Sequence, residues 1–262
     1  MTGTGWKMPG RYGNLVARDL PESSHLANEI RAAEQGIDFV KIINSGLNSL
    51  TIFAKETSPQ FTPVELRGAF KAAREMGLQI MVHANSKKPV RQALAAGCHS
   101  IEHGFFMGKE NLQRMADDQI VWVPTAVTMK ANYDHSRKDS AQAAVSLKNL
   151  DHQLEQIRLA KDMGVPIAVG TDAGSPGVHH GAAIIEELDL MAQAGFSIEE
   201  AVGCSTRNGS GLLALHQNGV LAPGMTASFI GVKGGPEDLP QSLNAVAAVF
   251  VDGENLFHNP AP

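Results

Sequence analysis

The sequence predicts a parallel α/β fold of the (β/α)-barrel type, and three observations carry the prediction. Short apolar, β-branched runs alternate with longer helical stretches, the loops between them are short and glycine-bearing, and side chains able to do chemistry fall where a run meets its following loop. The clearest instance is 167–176, Ile-Ala-Val-Gly-Thr-Asp-Ala-Gly-Ser-Pro. An apolar run ends there in Asp172 and breaks into a Gly/Ser/Pro loop, the form of a buried parallel strand with function at its C-terminal end.

Residues 1–13, with several glycines, Trp6 and Pro9, read as a loop, and 23–34 as a helix. Residues 38–43 read as a strand with Lys41 inside an apolar run, followed by the polar loop Asn44-Ser45-Gly46. Thr62 as N-cap and Pro63 at the first helical position start a helix that runs to Met76 and is closed by Gly77. The strand 79–83 ends in His83, an alanine-rich helix stops at Gly97, and the strand 100–104 carries His103. Residues 108–118 read as helix, 120–125 as a strand ended by Pro124, and 140–163 as a long helix. After the Asp172 strand come a helix over 182–194 and others starting near Ser197 and Arg207. Beyond 218 the character changes. A turn-rich 219–224 precedes β-runs over 227–233 and 245–251, with Asp252-Gly253 as a hairpin turn. The expected division is a barrel portion over 1–218 and strands of a small β domain over 219–262.

Composition narrows the function. Of 262 residues, 43% are hydrophobic and 19% charged, which is ordinary for one large globular domain. A formal charge of −5 without Lys/Arg clusters argues against a nucleic-acid surface, which needs a basic stripe. No segment has the apolar length of a membrane span or the pattern of a signal peptide, so the expectation is a cytoplasmic protein acting on a small organic substrate. Cys98 and Cys204 form neither a CxxC nor a disulfide framework and are expected as buried free thiols.

Lys41, His83, His103 and Asp172 thus arrive at successive strand ends. Each alone has a plain structural reading: a salt-bridged lysine, core histidines, and an aspartate making an Asx-turn or helix cap. Together, on one face of a parallel sheet, they point to a site. By strand alternation Glu102 faces away from His103 and is expected in a structural salt bridge. His99 is expected to pack, and Arg207 to be structural. On the residues alone, a lysine in an apolar strand also fits a Schiff-base nucleophile of an aldolase-type barrel.

These motifs, with the wording Ser100-Ile101-Glu102-His103-Gly104 and Val169-Gly170-Thr171-Asp172-Ala173-Gly174 and the tail 219–253, resemble the amidohydrolase superfamily, most closely its imidazolonepropionase and prolidase-like branch. The resemblance covers nearly the whole chain. It implies a (β/α)8 TIM-type barrel, here incomplete with strands four to eight, and C-terminal strands of a small β-sandwich. It places Lys41 on the fourth strand, His83 and His103 on the fifth and sixth, and Asp172 on the eighth. It further implies metal-dependent hydrolysis of a C–N bond in an amide, dipeptide or cyclic amide. The metal, zinc by the chemistry of imidazole ligands, would be held by Lys41 as its carbamate with carbon dioxide and by His83, His103 and Asp172. Asp172 would move a proton from water to the departing amine. Tyr133, in the loop after the Pro124 strand, and His180 fall where relatives grip a substrate carboxylate or carbonyl. The chain departs from the family by showing no His-x-His pair before Lys41, with strands one to three expected absent. A barrel portion so reduced is expected to associate with a second copy or a partner chain, and its activity to be impaired. The alternative is a catalytically inactive fragment serving as an interaction scaffold.

Overall fold

Six strands lie side by side and parallel in the computed structural model, which describes residues 2–14, 17–33 and 36–258. They are β1 (Gly3–Lys7), β2 (Arg18–Asp19), β3 (Phe39–Ile43), β4 (Gln79–Ala84), β5 (Ser100–His103) and β6 (Val121–Val123), in the spatial order β2-β1-β3-β4-β5-β6. From β3 onward each strand neighbours the next in sequence, because a helix returns the chain after each one. Those helices include α2 (Pro63–Glu75), α3 (Lys87–Ala96) and α4 (Lys109–Asp117). Val40, Ile42, Ile80, Val82, Ile101 and Trp122 on the strands have no exposed surface. Each such aliphatic side chain contributes roughly 1.5–3 kcal/mol by leaving water, which is why the sheet reads as continuous apolar runs. The start of α2 is set as its sequence indicates. Thr62 and Glu65 form a reciprocal capping box, with Pro63 in the first turn.

The first helix, α1 (Leu26–Arg31), lies within the expected 23–34, whose end at Glu34 falls outside the described residues. After β6 come α5 (Val127–His135), the long α6 (Ala141–Asp162), α7 (Ala183–Gln193) and α8 (Ile198–Gly203). A π-helical turn at Cys204–Asn208, where a helix was expected to start near Arg207, precedes the short α9 (Gly209–Leu212). The tail folds as a separate antiparallel sheet of β7 (Phe229–Val232), β8 (Val246–Val251) and β9 (Glu254–His258). Asp252 and Gly253 both take positive φ in the β8–β9 turn, as a two-residue hairpin needs. Cys98 and Cys204 are buried free thiols.

Two expectations are corrected. The opening residues are not a loop. Gly3–Lys7 is a full strand of the parallel sheet, paired with β3 from Gly3↔Phe39 to Trp6↔Ile42, and β2 pairs beyond it. Two parallel strands therefore precede Lys41, and pairing with a buried neighbour outweighs the weak β-propensity of Gly-Thr-Gly. The run ending at Asp172 is, conversely, not a laddered strand. It follows β6 only briefly, with Trp122 N–H donating to the Pro166 carbonyl and Ala168 N–H to that of Trp122, both at 2.9 Å. Val169 N–H then turns to the Cys204 carbonyl at 3.3 Å. No helix among the described residues is long and apolar enough to cross a membrane.

Candidate active site

The ladder fixes which side chains meet. Lys41 pairs with Met81, Ile43 with His83, and His83 with Glu102. Paired residues of adjacent strands share a face, so Lys41, His83 and Glu102 all point to the same side. His103, one residue further, would point away, but its φ of +67° breaks the alternation. Its imidazole turns back beside His83, the two rings 4.6 Å apart between centroids and edge to face. Gly104 follows with φ +62°, and a Cβ there would lie 2.7 Å from Trp122 Nε1. Only glycine fits this turn. Glu102 thus does not face away from the site, as alternation predicted. It forms an ion pair with Lys41 and accepts from the Ser100 hydroxyl.

Both imidazoles are held by the frame. His83 Nε2 lies 3.3 Å from the Gly46 carbonyl, which can only accept, so in the neutral ring Nε2 carries the hydrogen and Nδ1 keeps its lone pair. Burial first, and then the nearby His103 and Lys41, hold His83 well below the usual histidine range. Burial and Lys41 push His103 down to about 3. Two neutral imidazoles at neutral pH are the form that ligates a metal. His103 Nδ1 is 2.7 Å from the Thr125 hydroxyl. The His103 carbonyl accepts from Trp122 Nε1 at 3.0 Å and from Gln153 Nε2 on α6 at 2.7 Å. Gln153 also donates to the Pro124 carbonyl, and Gln156 to that of Gly104. The turn bearing Thr125 is anchored in its own right. Buried Glu187 of α7 accepts from Ala126 N–H at 3.0 Å and Val127 N–H at 2.7 Å.

A cavity of about 820 Å³ lies at these strand ends and is lined by Lys41, His83, His103 and Asp172 together. Asp172 sits at φ +53° and accepts from the Ser175 hydroxyl at 2.8 Å. Thr128, Met129 and Asn132 of α5 form one wall. Tyr133 does not. It lies on a helix, one residue and so about 100° round from Asn132, with the Lys138 ammonium 3.6 Å above its ring. His180 is also absent from the lining. His99 plays the packing role expected of it, its Nδ1 accepting from Ile80 N–H at 2.9 Å. Arg11 and Tyr12, on the loop after β1, line the cavity without having been singled out by the sequence. Tyr12 stands 5.2 Å from the His83 ring.

The donor set fits a divalent ion in part. Among the described residues no three His, Cys, Asp or Glu side chains close into a metal cluster. Two neutral imidazoles converge, Asp172 lines the same cavity, and Lys41 is ion-paired with Glu102.

A parallel α/β sheet thus brings two histidines, a lysine and an aspartate to one cavity. Residues 4–256 match the model of the Amidohydrolase family, and the chain belongs to that family. Ochratoxinase of Aspergillus niger is 27% identical over 266 residues, covering 96% of this chain and 53% of that protein. Imidazolonepropionase of Paracoccus denitrificans is 26% identical over 173 residues, covering 64% of this chain and 39% of its own. The chain spans about half the length of the curated relatives it first matches. A solved Xaa-Pro dipeptidase with methionine bound in its active site superposes with a TM-score of 0.78 at 28% identity, over 99% of this chain and 66% of that one.

Proposed function

We propose that the chain hydrolyses the C–N bond of a small amide, a dipeptide or cyclic amide, at a divalent metal. The observation that carries this reading is the convergence of Lys41, His83, His103 and Asp172 on one cavity with both imidazoles held neutral. The family and its ochratoxinase, imidazolonepropionase and dipeptidase relatives support it.

His83 and His103 would hold the ion, zinc by the preference of such ligands. Lys41 would join them as the carbamate formed with carbon dioxide, which requires its amine to leave Glu102. When bound, the metal supplies a Lewis acid that polarises the amide carbonyl and lowers the pKa of water. Asp172, open to the same cavity, accepts a proton from the attacking water and passes it to the departing nitrogen. Ser175 holds that carboxylate from one side, and Thr125 and Gly46 fix the two imidazole planes. Ile43, Leu50 and Phe105 give the cavity part of its apolar wall.

The test combines metal content with turnover. Purified chain incubated with zinc and bicarbonate should hold one ion per chain by elemental analysis. It should release amine from members of a panel of dipeptides, N-acyl amino acids and lactams, and lose that activity to a chelator. Two tightly held ions per chain, or chelator-insensitive hydrolysis, would contradict the site as drawn.

A further inference from the structure

The cavity has one wall that the hydrolytic residues leave unused. Residues 8–13 form a built loop rather than a loose connection. Pro9 and Gly10, with Gly10 at φ +65°, occupy the two central positions of a tight turn that Arg11 N–H closes on the Met8 carbonyl at 3.2 Å. Gln60 then ties the loop to the sheet. Its Oε1 accepts from Met8 N–H at 3.0 Å, and its Nε2 donates to the carbonyls of Tyr12 at 3.0 Å and Ser45 at 3.1 Å. The side chains so presented, Arg11 and Tyr12, line the cavity.

The charges there are unequal in their commitments. Lys41 is paired with Glu102 and Asp172 with Ser175. Among the described residues no ion pair or side-chain hydrogen bond engages the Arg11 guanidinium, although it has five donors in a planar fork suited to a carboxylate. Beside it, the Tyr12 phenol offers a further hydroxyl donor on the same wall. The apolar part of the lining includes Leu47, Leu50, Phe105 and Met129.

We propose that Arg11, with Tyr12 beside it, is the residue by which this cavity selects a ligand carboxylate over a neutral group. This rests on the hydrolase reading for which bond is broken, but the recognition itself is measurable by binding alone. Arg11 is specificity-determining here and takes no part in bond cleavage.

The experiment is calorimetric titration of the whole chain, with and without zinc, using N-acetyl-L-phenylalanine and its carboxamide, N-acetyl-L-phenylalaninamide. The wild-type chain should bind the acid roughly tenfold to a hundredfold more tightly than the amide, the range expected of hydrogen bonds to a charged group. Added salt should weaken only the acid. Arg11→Met, at an exposed position where the fold tolerates it, should bring the ratio to about one, and Arg11→Lys should retain part of it, because an ammonium keeps the charge but not the fork. Tyr12→Phe should weaken the acid alone, by less than Arg11→Met. A wild-type ratio near one, binding of neither compound, or an acid preference that survives in Arg11→Met would overturn the proposal. Turnover of the same pair, followed in parallel, separates the two readings. Acid-selective binding without hydrolysis would sink the hydrolase reading alone, and hydrolysis of both compounds at equal efficiency would sink the Arg11 assignment alone.

Discussion

The two sides of the candidate site are built differently. The histidine side stands on β4 and β5, laddered to neighbours through several residues, with His83 buried, His103 pinned at its ring and its carbonyl, and the Thr125 turn anchored from α7. The aspartate side stands on a segment that touches β6 at a single bridge, and Asp172 has one side-chain partner three residues away. The groups proposed to hold an ion sit on laddered strands with further side-chain braces. The group proposed to carry a proton sits on the less paired segment, its carboxylate held by Ser175 and open to the cavity. On the proposed reading, holding and shuttling fall to two parts of the frame that differ in how they are paired.

The largest effect should come from splitting those two tasks. Asp172→Asn removes the proton carrier and keeps the side chain's shape. Turnover should fall by about 10²–10⁴-fold while bound zinc, measured by elemental analysis, stays at the wild-type level; loss of zinc in this variant would show that both sides hold the ion. Thr125→Val tests the other side. It keeps the volume but removes the partner of His103 Nδ1, and zinc affinity should drop about 10–100-fold, as losses of ligand-orienting partners do. Competition with a chromogenic chelator reads it directly.

Glu187 offers a test through stability. Burial pushes its carboxyl up to about 7 against an ordinary 4.5, despite two backbone donors. The native state then binds the proton more tightly than the unfolded chain. This contribution to stability is therefore full below about pH 4.5, is lost as pH rises to about 7, and is constant above that. The span amounts to roughly 3 kcal/mol. Glu187→Gln should remove that fall from denaturant-melt stabilities measured between those two pH values, and an unchanged slope would show that the carboxyl titrates normally. The smallest effect is expected at Ser175→Ala. One hydrogen bond to Asp172 is lost, so turnover should change about twofold to tenfold with zinc affinity unaltered. A larger loss than that of Thr125→Val would reverse the ranking of the two sides.

What the sequence could express about this site was its strand ends. His83 and His103 follow runs apolar enough to be read as buried strands, Lys41 stands within one, and Asp172 closes another that proves only strand-like. Four things were not legible, each for a physical reason. Gly3–Lys7 has no apolar run, Trp6 being its one large apolar side chain, and pairing with β3 makes it a strand. Glu102 was assigned the wrong face, since alternation assumes extended backbone and His103 is left-handed. Arg11 and Tyr12 lie some thirty residues before Lys41 on a loop whose position is set by Gln60, a contact between distant residues that no local pattern encodes. Tyr133 was misplaced by reading a helix as a loop, and helical phase puts Asn132 on the cavity in its stead.

The amides of Gln153 and Gln156 reach from α6 to the carbonyls of His103, Pro124 and Gly104, while Asn149, one turn earlier, donates to the Ser49 carbonyl at 3.1 Å. The 22-residue helix therefore acts as a ruler whose phase is read at two points along its length. A single residue inserted between Asn149 and Gln153 would rotate one reading point by about 100° relative to the other, so that the loop and the strand ends could not both be met. Two whole turns, about seven residues, would nearly restore the angle while shifting the points some 10 Å apart along the axis at 1.5 Å per residue. Length change in this helix is thus barred by geometry even where its outer face is free to vary in sequence, and the cavity end of the sheet inherits that constraint from a segment that contributes no side chain to the cavity lining.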